Sequence, residues 1–123
     1  MALTNYEDIV INQGSDVAIE VHLITDSGGA YDLTGRSVSA MMKRSFSDSD
    51  GDPDTLQFNS IVASPPGAGV ITLSLTNTQT DTLKTRGRYV YDVEVSYNDD
   101  SGNSIVQRVL EGQIDVSPSV TKP

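Results

Sequence analysis

Apolar and polar residues alternate with a period of two along most of this chain, the spacing that turns one face of a β-strand to a core and the other to water. The longest run is RGRYVYDVEVSY (86–97), where Tyr89, Tyr91, Val93, Val95 and Tyr97 share one face and Asp92, Glu94 and Ser96 the other. From Val17 to Ile24, VAIEVHLI sets Val17, Ile19, Val21 and Leu23 against Glu20 and His22. A turn, TDSGGA, and a short YDLTG piece follow. Ser37 to Phe46 then predicts a third strand with Val38, Ala40 and Met42 inward, although the adjacent Met41 leaves the facing open. LQFNSIVAS and GVITLSL predict two more strands around an SPPGAG turn, and SIVQRVLEGQIDVSP predicts the last after an NDDSGN hairpin, with Gly112 marking a bulge or bend. One stretch breaks the alternation. In TNTQTDTLK, Thr76 and Gln79 have the spacing of a capping box, which predicts one or two helical turns with Leu83 packing down.

About seven short strands with turn signals roughly every ten residues predict an all-β, immunoglobulin-like antiparallel β-sandwich with one short helix. A small barrel is the alternative. The 123 residues fit a single domain, 1–123, that buries roughly two-thirds of its unfolded surface. Residues of about 6–117 form the expected folded core, and 118–123 an extended tail.

The tyrosine face of 86–97 admits two uses: half of a core, or an exposed platform for stacking sugars. Exposing Tyr89, Tyr91 and Tyr97 would expose Val93 and Val95 too and would bury Asp92 and Glu94. Two unpaired buried carboxylates cost several kcal/mol each. The alternation therefore favours the core.

A net charge of −9 with eight Lys and Arg residues opposes binding to nucleic acid, which needs clustered cations for phosphates. It also disfavours an anionic membrane surface. No stretch approaches the roughly 20 apolar residues that span a bilayer, and the opening MALTNYEDIVI shows no secretory pattern. With no cysteine, there is no disulfide framework, thiolate metal site or cysteine nucleophile.

Candidate chemistry is sparse. His22, the single histidine, lies mid-strand opposite the apolar face, as a solvated or interface side chain would, and no G-x-S-x-G elbow or phosphate-cradling motif occurs. No catalytic residue and no cofactor is predicted. Asp48, Asp50, Asp52 and Asp54 alternate in SDSDGDPD, an arrangement that could gather carboxylate oxygens around Ca²⁺. Gly51 is misplaced for an EF-hand, Pro53 stiffens the wrong point and no Glu closes the loop, so a solvated acidic loop is the favoured reading. Arg86 and Arg88, with Asp48, Asp50 and Asp52, are the candidates for contact with a partner, the solvated reading standing beside it for each arginine.

The succession DIVINQGSDVAIEVHL, YDLTGRSVSAMMKRSF, GVITLSLTNTQTDTLKTRGRYVYDVEV and RVLEGQIDVSPSVT resembles a module of tailed-bacteriophage virion proteins. That module occurs as small structural proteins of T4-like marine phages and is similar to the N-terminal domain of the baseplate upper protein. The resemblance rests on Asp32 to Gly35, Leu73 to Thr76, Gln79 and Thr80, Gly87 to Glu94, Arg108, Glu111, Gly112, Val116 and Pro118, and covers roughly residues 8 to 121. The chain departs from the pattern in its long acidic loop (47–54) and in the Met41–Met42 pair. The resemblance implies a sandwich without enzyme activity, made in the host cytoplasm and assembled into the virion in multiple, symmetric copies through contacts with other virion proteins. An accessory place in the tail, neck or baseplate is expected. A capsid decoration protein is the alternative within the same class, and a carbohydrate- or calcium-dependent host-binding module the alternative outside it.

Overall fold

The period-two alternation is realised as strands, which the chain divides between two sheets. The computed structural model describes residues 5–25, 27–45 and 55–120. Along them run β1 (Asn5–Tyr6), β2 (Ile9–Asn12), β3 (Val17–His22), β4 (Ser37–Lys43), β5 (Leu56–Gln57), β6 (Asn59–Val62), β7 (Val70–Leu75), the helix α1 (Asn77–Asp81), β8 (Tyr89–Asn98) and β9 (Ser104–Ser117). One sheet has the order β1-β9-β8-β4-β5, with β2 also on β9, and the other the order β3-β7-β6. The result is an immunoglobulin-like sandwich with one short α-helix. Asp48, Asp50, Asp52 and Asp54 lie outside the described residues.

For β3, β4 and β8 the inward faces are those the alternation predicts. Tyr89, Tyr91, Val93 and Val95 of β8 are buried together with Ala40 and Met42 of β4, Ile71, Leu73 and Leu75 of β7, and Val21 and Leu23 at the end of β3. Tyr89 and Tyr91 are only 1% and 2% exposed, so the tyrosine strand is scaffold. The Tyr91 hydroxyl donates to the Glu7 carbonyl at 2.5 Å. Burial, and then the charges of Glu7 and Asp8, push its pKa above the ordinary tyrosine range.

The capping box is also present. The Gln79 N–H donates to Thr76 Oγ1 at 3.2 Å, and the Thr76 N–H donates to Gln79 Oε1 at 2.9 Å. Such a cap contributes about 1 kcal/mol, which matters for a helix too short to persist alone. Thr80, fully buried, donates through its hydroxyl to the Ser15 carbonyl at 2.8 Å, and Leu83 packs into the core. The helix is thereby pinned beneath the turn that leads into β3.

Three features depart from the pattern read in the sequence. First, β1 and β2 pair with β9 in parallel, with Ile9 opposite Ile114 and Ile11 opposite Val116. The first and last strands share no hairpin to force them antiparallel. Second, LQFNSIVAS is two strands. Leu56 pairs with Met42, whereas Asn59 to Val62 pair with β7 in the other sheet. Buried Phe58 sits at the crossing, its N–H donating to the Ala40 carbonyl at 2.9 Å.

Third, the bulge lies elsewhere than Gly112. The register shifts between Val93 and Glu94, which oppose Leu110 and Arg108, so Val109 is the extra residue. Both Val109 and Leu110 thus turn inward. Gly112 pairs in register with Tyr91 and serves a close approach instead: a Cβ there would stand 2.0 Å from the Glu7 carbonyl oxygen. Gly69, with φ of 70°, fills a similar place, its missing Cβ 2.7 Å from the Tyr31 carbonyl oxygen.

The DLTG turn has a titratable latch. Asp32 Oδ1 accepts from the Thr34 hydroxyl at 2.7 Å and from the Thr34 N–H at 3.0 Å. These bonds, the hydroxyl first, and the charge of Arg36 hold the carboxyl below its ordinary value of 3.8. A depressed folded-state pKa contributes stability above the unfolded value and loses it as pH falls through the folded one. The Tm gap between wild type and Asp32→Ala should therefore be constant near neutrality and narrow as pH falls below 3.8. Thermal melts across that range check it, and a pH-independent gap would refute the latch.

Candidate functional site

The two arginines singled out in the sequence are exposed. Arg88 is already engaged with its own sheet. Its Nε lies 2.9 Å from Asp115 Oδ1, and its Nη1 donates to Gln113 Oε1 at 2.6 Å. The Arg86 carbonyl accepts from Arg44 Nη2 at 2.6 Å. Arg44, unremarked in the sequence, stacks its guanidinium 4.8 Å from the centroid of the Tyr89 ring. The turn that carries both arginines is thus tied to β4 and to the first tyrosine of β8.

His22 and Glu20 meet on the outer face of β3, Nε2 to Oε1 at 2.5 Å, each about two-thirds exposed (64% and 65%). A solvated pair of this kind has neither the burial nor the adjacent nucleophile that would tune it for acid–base work. The pair stands on the edge strand of the smaller sheet.

At one end of the sandwich the fold assembles a stack from residues far apart in sequence. Arg36 lies between two rings, 5.1 Å from the centroid of Tyr31 and 3.8 Å from that of Tyr97. Its Nη1 donates to the Tyr31 hydroxyl, which in turn donates to Gln107 Oε1 at 2.7 Å. Thr25, Ala30 and Asp32 complete a groove of about 420 Å³. The π face of Tyr97 that a sugar would use is already covered by the guanidinium. The stack braces the loop of 31–36 against β8 and β9.

The outer face of the larger sheet is a charge lattice. Arg108 bridges Asp92 at 3.3 Å and Glu111 at 3.2 Å, beside a shallow depression of about 220 Å³ over Ser39, Met41 and Glu94. Among the described residues, no three His, Cys, Asp or Glu side chains gather as a metal site would require. Among the same residues, no helix is long and apolar enough to cross a membrane.

The two long sides of the sandwich differ. On one, the chain itself crosses between sheets at Phe58, joining β5 to β6. On the other, β2 belongs to the larger sheet and β3 to the smaller, and among the described strands none pairs with the outer edge of β3. A groove of about 610 Å³ runs along this seam, lined by Tyr6, Glu7, Glu20, His22, Ile24 and Leu110. Tyr6 is 62% and Ile24 46% exposed there. Neither this open seam nor the tyrosine–arginine stack was visible in the sequence, because both depend on which strands become neighbours.

No protein-family model matches the chain, and no curated protein matches it significantly. Among solved structures, murine CRIg, an immunoglobulin-like protein, aligns with a TM-score of 0.53 at 16% identity. The alignment covers 95% of this chain and 97% of that one. At that identity the likeness is one of fold.

Proposed function

We propose that this chain is a non-enzymatic structural protein of a tailed-bacteriophage virion, an accessory component of the tail, neck or baseplate that assembles through contacts with other virion proteins. The reading rests on the resemblance set out from the sequence. It is supported by one observation: the residues that carry the resemblance are employed in holding the sandwich together. Asp32 and Thr34 latch a turn, and Thr76 and Gln79 cap the helix. Tyr89 and Tyr91 fill the core, and Gly112 admits the Glu7 carbonyl. A module selected for such residues is selected as a scaffold, and its specificity is left to edges and loops.

Such a protein acts by presenting edges and loop ends to neighbours, with modest interfaces summed over many copies. The charge lattice over Asp92, Arg108 and Glu111 and the partner candidates Arg86 and Arg88 give it a polar surface suited to reversible docking. Quantitative mass spectrometry of purified particles, scaled to the major capsid protein, tests the proposal. A few copies per particle, in multiples of about three or six as cyclic symmetry requires, is the expected result. A ratio near one per capsid subunit would make it a capsid decoration protein instead, and absence from particles would overturn the structural reading.

A further inference from the structure

The edge of β3 that faces the open seam has its main-chain groups aimed outward at alternate residues, and those residues can be identified. The Leu23 N–H donates to the Gly69 carbonyl at 2.8 Å, and the antiparallel register sets Val21 opposite Ile71 and Ile19 opposite Leu73. Alternation along a strand then turns the N–H and C=O groups of Val17, Ile19 and Val21 toward β7, and those of Ala18, Glu20 and His22 away from it. The side chains of Ala18, Glu20, His22 and Ile24 are all exposed, so they share the outer face. A bare edge of this kind is a template for another strand.

We propose that the occupant of this edge is the same edge of a second copy, joined antiparallel about a two-fold axis centred on Val21. Two conditions select the register. Outward-facing groups must meet outward-facing groups, which allows only pairings in which the two residue numbers sum to an even value. Among those, centring on Glu20 sets Glu20 against itself, and centring on His22 sets His22 against itself. Centring on Val21 places Glu20 of each copy opposite His22 of the other. A carboxylate accepts from an imidazole N–H in either protonation state of the ring, so this register is self-complementary. It also lays Ala18 of one copy against Ile24 of the other, covering an apolar side chain that is 46% exposed. The two small sheets become one continuous sheet, β6-β7-β3 followed by its two-fold mate.

The charge of −9 on each copy opposes this association at low salt. At physiological ionic strength, where the screening length is about 8 Å, the contact pairs act at short range while remote charges are screened. The inference stands apart from the virion reading, because the purified chain alone tests it: dimerisation does not require presence in particles, and presence in particles does not require dimerisation.

Sedimentation velocity over a concentration series, at physiological salt, is the experiment. Wild type is expected to show a reversible monomer–dimer equilibrium. Glu20→Lys, which sets a lysine against His22, should weaken it about tenfold, and the exchange Glu20→Lys with His22→Glu should restore it. Circular dichroism confirms that each variant is folded. The register has its own readout, since the chain contains no cysteine. A mixture of Ala18→Cys and Ile24→Cys chains should form the mixed disulfide in preference to either homodimer, because directly opposed residues lie within reach of a disulfide. A chain that stays monomeric at about millimolar concentration, corresponding to about 4 kcal/mol of association free energy, would overturn the proposal. A dimer indifferent to Glu20→Lys, or cross-links without preference for the mixed pair, would overturn it equally.

Discussion

Gly112→Ala should cost this domain about 3 kcal/mol or more, enough to leave it unfolded or close to it. The backbone conformation is not the cause, since Gly112 is not among the glycines with positive φ. The cause is space. The added methyl would stand 2.0 Å from the Glu7 carbonyl oxygen, 2.7 Å from its carbon and 3.0 Å from Tyr91 Cε1. Two of the three are backbone atoms, and they belong to the segment that carries β1 onto β9, where the Glu7 N–H donates to the Glu111 carbonyl at 2.9 Å. Relief requires that segment to lift, which breaks this bond and the one from the Tyr91 hydroxyl. Gly102→Ala is the control. Its φ is 82° but nothing lies within 4 Å of the added carbon, so only the backbone penalty of about 1 kcal/mol applies. Chemical denaturation of both variants checks the contrast. Equal losses would mean that the segment around Glu7 yields at little cost and that its approach is not what keeps glycine at position 112.

The contrast also marks what a sequence of this kind reveals. Alternation reports which face of a strand is buried, and it did so for β3, β4 and β8, because a one-residue slip would turn every apolar side chain outward. Local chemistry reports local structure: the Thr76–Gln79 cap was legible because both partners lie within one turn. Partnership between strands is a different quantity. Parallel and antiparallel ladders share the same alternation, so nothing in DIVIN said that β2 would run parallel to β9.

The switch at Phe58 was hidden for the same reason, as the face pattern continues while the neighbour changes. Gly112 was read as a bulge because a strand glycine has two meanings, a bulge or a close approach. The adjacent apolar pair Val109–Leu110 was the true mark of the bulge. Arg36 offered no local signal, since Tyr97 lies 61 residues beyond it in the sequence and meets it only through the fold.

Tyr89 is where the scaffold role of the tyrosine strand can be divided into parts. Its ring is 1% exposed in the core, its hydroxyl accepts from the Lys84 N–H at 2.9 Å, and its face carries the Arg44 guanidinium. The hydroxyl bond reaches back five residues across the turn from α1, so a core side chain fixes where β8 begins. Tyr89→Phe keeps the ring and the arginine stack and loses only the acceptor, an expected cost of about 1 kcal/mol. Tyr89→Ala removes the ring as well and should cost about 3–5 kcal/mol. Urea titration of the two variants gives the partition, provided the denaturant slope stays that of wild type. If Tyr89→Phe cost as much as Tyr89→Ala, the hydroxyl rather than the buried ring would hold the strand, and packing would not be what the regular alternation from Tyr89 to Tyr97 encodes.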